Sequence, residues 1–302
     1  MRRSHVSLGA SRLFPLLAVT LALGGTFGCD GDGDGLSGKL EKELGTDPKS
    51  ADSDGDGVSD GDENDAGLDP LSADSDGDRL GDFHELDLGT DGLVADSDGD
   101  GYTDGDEVTE GKDPLDASSV IYEGGWPYYW NKDAISDPGL QGGRAPGDVI
   151  PRRIGTDQFG QPVEMYDLAF QGKPILLDIS AEWCGPCNEM SAWLNGDSTA
   201  LNEYNRIRQA VNQGEIYWVT ILAQNVQGGD PDAAIGARWY EEYPKEQVPV
   251  LNDRGQRFTN WSELEAFPTM MWVNEDMTIE AYSPGDNMRG MDRLMAQLDD
   301  QD

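Results

Sequence analysis

The sequence predicts an α/β domain, a central mixed sheet flanked by helices, preceded by an irregular array of acidic loops. Three observations lead there. An apolar run, Pro174-Ile175-Leu176-Leu177-Asp178-Ile179, reads as a buried strand, and helical spacing follows soon after it at Met190, Trp193 and Leu194. Met288, Met291, Leu294, Met295 and Leu298 recur at helical spacing after Asp286-Asn287, as expected of a terminal helix covering a sheet. Upstream, Asp30, Asp52, Asp74 and Asp96 open near-identical acidic loops at a period of 22 residues.

A chain of 302 residues suits two or three domains. Texture divides it into a signal segment at 1–28, acidic repeats at 29–116, a connector at 117–143 and the α/β domain at 144–302. The net charge of −38 is concentrated in the repeats, where residues 30–116 hold 30 acidic and 5 basic side chains. Such a surface repels nucleic acid and anionic lipid, and its natural partners are cations or basic protein patches. The plainer alternative is a disordered, solubilising acidic linker.

Three cysteines, at 29, 184 and 187, are too few for a disulfide scaffold. Arg2-Arg3, Arg12 and the apolar run from Leu13 to Leu23 read as an export signal, and the run is short of the ~20 residues a spanning helix needs. Thr26-Phe27-Gly28-Cys29 resembles the lipobox of bacterial lipoproteins, although Phe27 is bulkier than usual. That resemblance implies lipidation of Cys29 and a periplasmic or cell-surface lipoprotein held to the membrane by its anchor. Ordinary signal cleavage leaving a free thiol is the alternative.

In the clearest acidic loop, Asp52, Asp54, Asp56, Asp60 and Glu63 stand at positions 1, 3, 5, 9 and 12, with Gly57 at position 6. A hard cation takes six to eight oxygens; alternate aspartates, the backbone carbonyl at position 7, here Val58, and a bidentate glutamate supply them. The copy with Asp96, Asp98, Asp100, Tyr102, Asp104 and Glu107 is equally complete. Another keeps Asp74, Asp76, Asp78, Asp82 and Glu85 but has Arg79 in place of the turn glycine, which should strain the loop and bring positive charge near the ion. The first copy, opened by Asp30, is partial because Gly38 stands at position 9. Paired EF-hand helices and the longer helix of a dockerin do not fit between loops, since Gly67-Leu68-Asp69-Pro70 interrupts them. The array resembles bacterial thrombospondin type 3 repeats, on Asp-Ser-Asp-Gly-Asp and the Gly-x-Asp-Pro recurring at 45–48, 67–70 and 111–114. The resemblance implies calcium bound along a chain with little conventional secondary structure. Its expected purpose is a calcium-stiffened stalk.

Trp183-Cys184-Gly185-Pro186-Cys187 follows the strand and opens the helix. A helix N-terminus stabilises an anion, lowering the pKa of the first thiol; this makes Cys184 the nucleophile and Cys187, one turn on, the resolving thiol. Half a zinc site fails on ligand count, since the chain after residue 28 holds one histidine, His84, and no further cysteine besides Cys29. The same scarcity argues against Ser-His-Asp or Cys-His catalysis. A static disulfide closing so short a loop would stabilise little. Residues 175–187 resemble the active-site strand and loop of thioredoxin, and residues 147–174 the N-terminal hairpin of redoxin and TlpA-type proteins. These resemblances imply a thioredoxin fold and a thiol–disulfide oxidoreductase acting on protein disulfides or dithiols, with no organic cofactor. They also imply that Asp178 takes the proton of the resolving thiol, that Trp183 belongs to the site, and that Phe267-Pro268-Thr269 is a cis-proline segment whose Pro268 holds the substrate backbone. Acting as a reductase outside the cytoplasm, the protein would need a membrane electron donor. Likeness to peroxiredoxins is weaker, because Pro174 to Ala181 lacks the threonine of their motif, and thiol peroxidase is the lesser alternative. A rival of another class is a calcium-dependent surface or adhesion protein whose thioredoxin-like domain is a binding module.

Two stretches admit two readings each. Trp126, Tyr128, Tyr129 and Trp130 could form a ligand patch, but packing against the next domain explains them better. An insertion at 223–265, with Trp239, Tyr240, Tyr243 and Trp261, could select substrates, but core packing of an added helix fits its pattern better. The methionine-rich terminal helix reads as core rather than a copper site.

Overall fold

A computed structural model describes residues 29–300; the segment read from the sequence as an export signal, and the residues before Cys29 that resemble a lipobox, lie outside them. Among the described residues, no helix is long and apolar enough to cross a membrane. The chain divides into two compact units, one ending at Ala73 and one running from Asp74. That division falls inside the repeat array, so the loops opened by Asp74 and Asp96 belong to the same unit as the α/β domain.

Each acidic loop runs into a helix of seven residues: α1 (Gly38–Leu44), α2 (Asp60–Ala66), α3 (Asp82–Leu88) and α4 (Asp104–Glu110). The array therefore carries more regular structure than expected. Ser59 and Thr103 cap their helices by accepting the N–H of Asp62 and Asp106 at 3.1 and 3.3 Å. Gly67 and Gly111, at φ 84° and 71°, end them in the left-handed region, where a side chain would be strained. The breaker at 67–70 thus limits the helix to two turns rather than abolishing it.

In the second unit a hairpin pairs β1 (Ile154–Thr156) with β2 (Pro162–Glu164). The main sheet has the order β5-β4-β3-β6-β7, with β3 at Ile175–Ala181, β4 at Tyr217–Gln224, β5 at Val250–Asn252, β6 at Thr269–Val273 and β7 at Ile279–Ala281. β3 runs parallel to β4 and antiparallel to β6, and β4 runs parallel to β5. With α5 (Gly185–Asn195) after β3, α8 (Arg257–Ser262) before β6 and α9 (Arg289–Asp299) at the end, this is the thioredoxin fold. The stretch from 223 to 265 contributes α7 (Ile235–Glu242) and the edge strand β5 to it, as well as α8.

Alternation along β3 sends its residues to two cores. Leu176 joins Met190, Trp193 and Leu194 of α5, Ile207 and Val211 of α6 (Asn205–Asn212), and Met291, Leu294 and Leu298 of α9. The methionine face is core, as its spacing predicts. Leu177 and Ile179 face Phe258 and Trp261 of α8, Val163 of β2, and Ile121, Tyr122 and Trp126 of the connector. Residues 117–143 are consequently not a free linker. Trp126 is buried, and Tyr129 packs at a tilt against Phe170, ring centroids 5.1 Å apart; Trp130, 56% exposed, lies instead beneath the Arg79 guanidinium at 4.8 Å.

Candidate redox site and cation loops

β3 ends at Ala181, whose carbonyl accepts the Cys184 N–H at 3.0 Å, a turn that sets Cys184 as the N-cap of α5. Cys184 and Cys187 are joined as a disulfide, and the Cys187 N–H points at the Cys184 Sγ at 3.2 Å. Pro186 lies in the first turn, where a missing N–H costs nothing. A thiolate at Cys184 would sit at the positive end of an eleven-residue helix. Both cysteines are buried among Ala181, Leu222, Ile235, Trp239 and Val250, with Phe267 packed against them. The added helix α7 therefore backs the dithiol with Trp239.

The Phe267–Pro268 peptide is cis, and Phe267 meets the Trp183 ring edge-on at 6.0 Å. Trp183, 49% exposed, donates its indole N–H to Gln224 at the end of β4, 2.8 Å away. Asp178 lies fully buried between strands. Its carboxylate accepts from Ser180 Oγ at 2.5 Å and from Thr220 Oγ1 at 3.3 Å. Desolvation outweighs these bonds and pushes its pKa up to about 6. Two contacts had no local signal in the sequence. Glu182, beside Trp183, is gripped by the Arg238 guanidinium of α7 at 2.8 and 3.2 Å, a forked pair across 56 residues, and Glu182 also accepts the Val226 N–H.

In the array, Asp52, Asp54 and Asp56 each bring a carboxylate oxygen within 4.8 Å of the others. Asp74, Asp76 and Asp78 do the same, as do Asp96, Asp98 and Asp100, and also Asp30, Asp32 and Asp34. Position 1 orders the turn. Asp52 accepts the N–H groups of Gly55 and Gly57 at 2.7 and 3.1 Å, and Asp96 those of Gly99 and Gly101 at 2.8 and 2.9 Å. Position 9 bonds back to position 2: Asp60 to Ser53, Asp82 to Ser75, and Asp104 to Ser97. Val58 and Tyr102 at position 7 are buried, as are Glu63, Glu85 and Glu107 at position 12. Glu107 has no hydrogen-bond partner on either carboxylate oxygen, and Asp54, Asp76, Asp98 and Asp100 each bury one such oxygen. Burial first, and neighbouring aspartates second, push Glu85 and Glu107 up to about 8. Buried, unpaired carboxylates converging on a few ångströms fit a hard cation such as calcium.

The partial first loop gains a neighbour, because Asp34 and the fully buried Glu41 lie with Asp60 of the following repeat in one carboxylate cluster. Repeats interlock at position 10. A Cβ at Gly61 would stand 2.0 Å from the Asp34 carbonyl oxygen, and one at Gly105 2.4 Å from that of Asp78. Asp78 also accepts the Gly105 N–H at 2.8 Å. The copy opened by Asp74 has Phe83 at this position. Arg79 does take a left-handed φ of 81°, as a residue in the turn-glycine position must. Its guanidinium bonds Asp106 and Thr103 of the next repeat, while its Nε donates to the Asp78 carbonyl of its own loop at 3.2 Å.

Residues 30–51, 52–73 and 96–117 match the bacterial TSP3 repeat family. Three of the four acidic copies are therefore TSP3 repeats. The copy at 74–95, with Arg79 and Gly89-Thr90-Asp91-Gly92, is outside the matched segments. No curated protein matches the chain. Among solved structures, it is similar to the thioredoxin domain of a thiol-disulfide oxidoreductase from Bacteroides vulgatus, at 21% identity over 53% of this chain and 99% of that one, TM-score 0.38. It is also similar to an exposed lipoprotein thioredoxin from Streptococcus pneumoniae, at 19% over 49% and 98%, TM-score 0.36. A peroxidoxin from Mycobacterium tuberculosis matches at 15% over 52% and 98%, TM-score 0.38.

Proposed function

We propose that the chain is an exported thiol–disulfide oxidoreductase, anchored to the membrane through a lipid on Cys29, that works through the Cys184–Cys187 dithiol and carries a calcium-binding TSP3 array. The observation that carries the reading is a cysteine pair at the N-terminus of α5, backed by the sheet, with Phe267 of the cis Phe267–Pro268 peptide packed against it. Asp52, Asp54, Asp56, Val58, Asp60 and Glu63 would hold one calcium ion, and Asp96, Asp98, Asp100, Tyr102, Asp104 and Glu107 another. Asp74, Asp76, Asp78, Asp82 and Glu85 would form a weaker site.

In the reducing direction, the Cys184 thiolate attacks one sulfur of a substrate disulfide lying beside Pro268, forming a mixed disulfide and releasing the other sulfur as a thiolate. Cys187, its proton taken by Asp178, then attacks the Cys184 sulfur. The Cys184–Cys187 bond forms, the second substrate thiolate leaves, and two electrons have passed to the substrate. Oxidation runs the same steps backwards. A membrane electron donor would re-reduce the pair in the first case. Mass spectrometry of the mature N-terminus tests the lipid anchor on Cys29. Insulin reduction with dithiothreitol as electron source tests the activity: wild type should exceed Cys184→Ser by orders of magnitude. Equal, negligible rates would favour the binding-module reading.

A further inference from the structure

Tyr102 holds position 7 of the loop opened by Asp96, the position that offers a cation its backbone carbonyl and leaves the side chain for another use. In the loop opened by Asp52 that residue is Val58. The Tyr102 ring is 6% exposed and lies in the same cluster as Ile150, Val163 and Leu177 of the α/β domain. Its hydroxyl donates to the Trp126 carbonyl at 2.7 Å, and the Trp126 indole donates in turn to Asp157, in the β1–β2 turn, at 2.9 Å. A second tie runs from Glu110 of α4, which accepts the Tyr128 hydroxyl at 2.6 Å. At the other end of the same short segment, both Glu107 oxygens and one oxygen each of Asp98 and Asp100 are buried without a hydrogen-bond partner.

We propose that the loop opened by Asp96 is a calcium site built into the α/β domain, so that cation binding there stabilises the domain carrying the dithiol. This rests on the reading of the loops as calcium sites. Without a cation, Asp96, Asp98, Asp100 and Glu107 repel one another across a partly desolvated loop. Opening the loop moves the Tyr102 backbone, and the ring leaves the cluster with it. With a cation, the Tyr102 carbonyl is a ligand and the ring is held. A ligand that binds only the closed loop stabilises whatever is cooperative with it, and the linkage is reciprocal.

All eight tryptophans lie from Trp126 to Trp272, so tryptophan fluorescence of the full chain reports the connector and α/β domain without contribution from the repeats. Its thermal transition should rise by roughly 5–10 °C between chelator and calcium about 100-fold above Kd. Asp98→Asn combined with Asp100→Asn should lose most of the calcium shift, keeping only what the loop opened by Asp74 supplies, and should melt above wild type in chelator because two repelling charges are gone. Tyr102→Val, which keeps the carbonyl, should show a smaller calcium shift. The coupling is overturned if calorimetry detects calcium binding to the wild-type chain while its tryptophan transition stays put, or if Tyr102→Val keeps the full shift. Absence of any calcium uptake overturns the calcium assignment together with the coupling.

Discussion

Replacing Asp178 with asparagine should make the protein more stable at neutral pH. The carboxylate is fully buried, and the favourable contacts of Ser180, Thr220 and Trp218 do not offset its desolvation, so its pKa is raised from 3.8 to about 6. A raised carboxylate pKa means that the folded state holds a proton the unfolded chain has already lost. The associated stability is present below pH 3.8 and is lost as pH rises through about 6. A tenfold change in proton affinity is worth about 1.4 kcal/mol, so ionising Asp178 in the fold costs about 3 kcal/mol at pH 7.5. An amide is close in shape, accepts from Ser180 as before, and donates to Thr220 without carrying charge. Urea unfolding of oxidised wild type and Asp178→Asn in saturating calcium, followed by tryptophan fluorescence, measures the difference directly. The variant should gain about 3 kcal/mol at pH 7.5 through a higher midpoint with unchanged slope, and the gain should shrink toward zero near pH 4. A variant less stable at pH 7.5, or a difference that does not vary with pH, would refute the desolvation argument.

Other substitutions probe separate parts of the structure. Glu107→Gln removes one negative charge from a buried ligand set and should weaken calcium at that loop at least tenfold, about 1.4 kcal/mol, in calorimetry of the full chain. Gly105→Ala puts a methyl group 2.4 Å from the Asp78 carbonyl and should destabilise the second unit by about 1–3 kcal/mol, read from chemical denaturation in calcium. Trp193→Ala empties a fully buried site against Trp218 and should cost about 3–5 kcal/mol in the same assay. Arg238→Ala leaves Glu182 without its forked partner, which places an unpaired negative charge two residues before Cys184. Alkylation of reduced protein should then show the Cys184 thiol titrating at higher pH than in wild type.

Much of this structure is readable from residue spacing because the signals are local. The acidic loops repeat in register, and the strand, dithiol and helix follow one another within a few residues. The short helices of the array are masked in the sequence by Gly67 and Pro70, which break any long helix yet leave room for two turns before them; Ser59 and Thr103 mark where those turns start. Contacts between distant residues leave no trace in the sequence. Tyr102 reads from spacing as a carbonyl donor, whereas its ring depends on Trp126, 24 residues away. Arg79 reads as a charge at an ion, yet its guanidinium also bonds Asp106 of the next repeat. The grip of Arg238 on Glu182 spans the insertion, and only the packing of α7 against the dithiol brings those residues together.

The most direct test of the dithiol chemistry is to trap its intermediate. Reduced Cys187→Ser protein, mixed with a disulfide-bonded peptide, should accumulate a covalent adduct through Cys184 that mass spectrometry locates on that residue and that dithiothreitol releases, while Cys184→Ser forms none. An adduct absent from Cys184, or formed equally well by Cys184→Ser, would contradict a redox function for the pair.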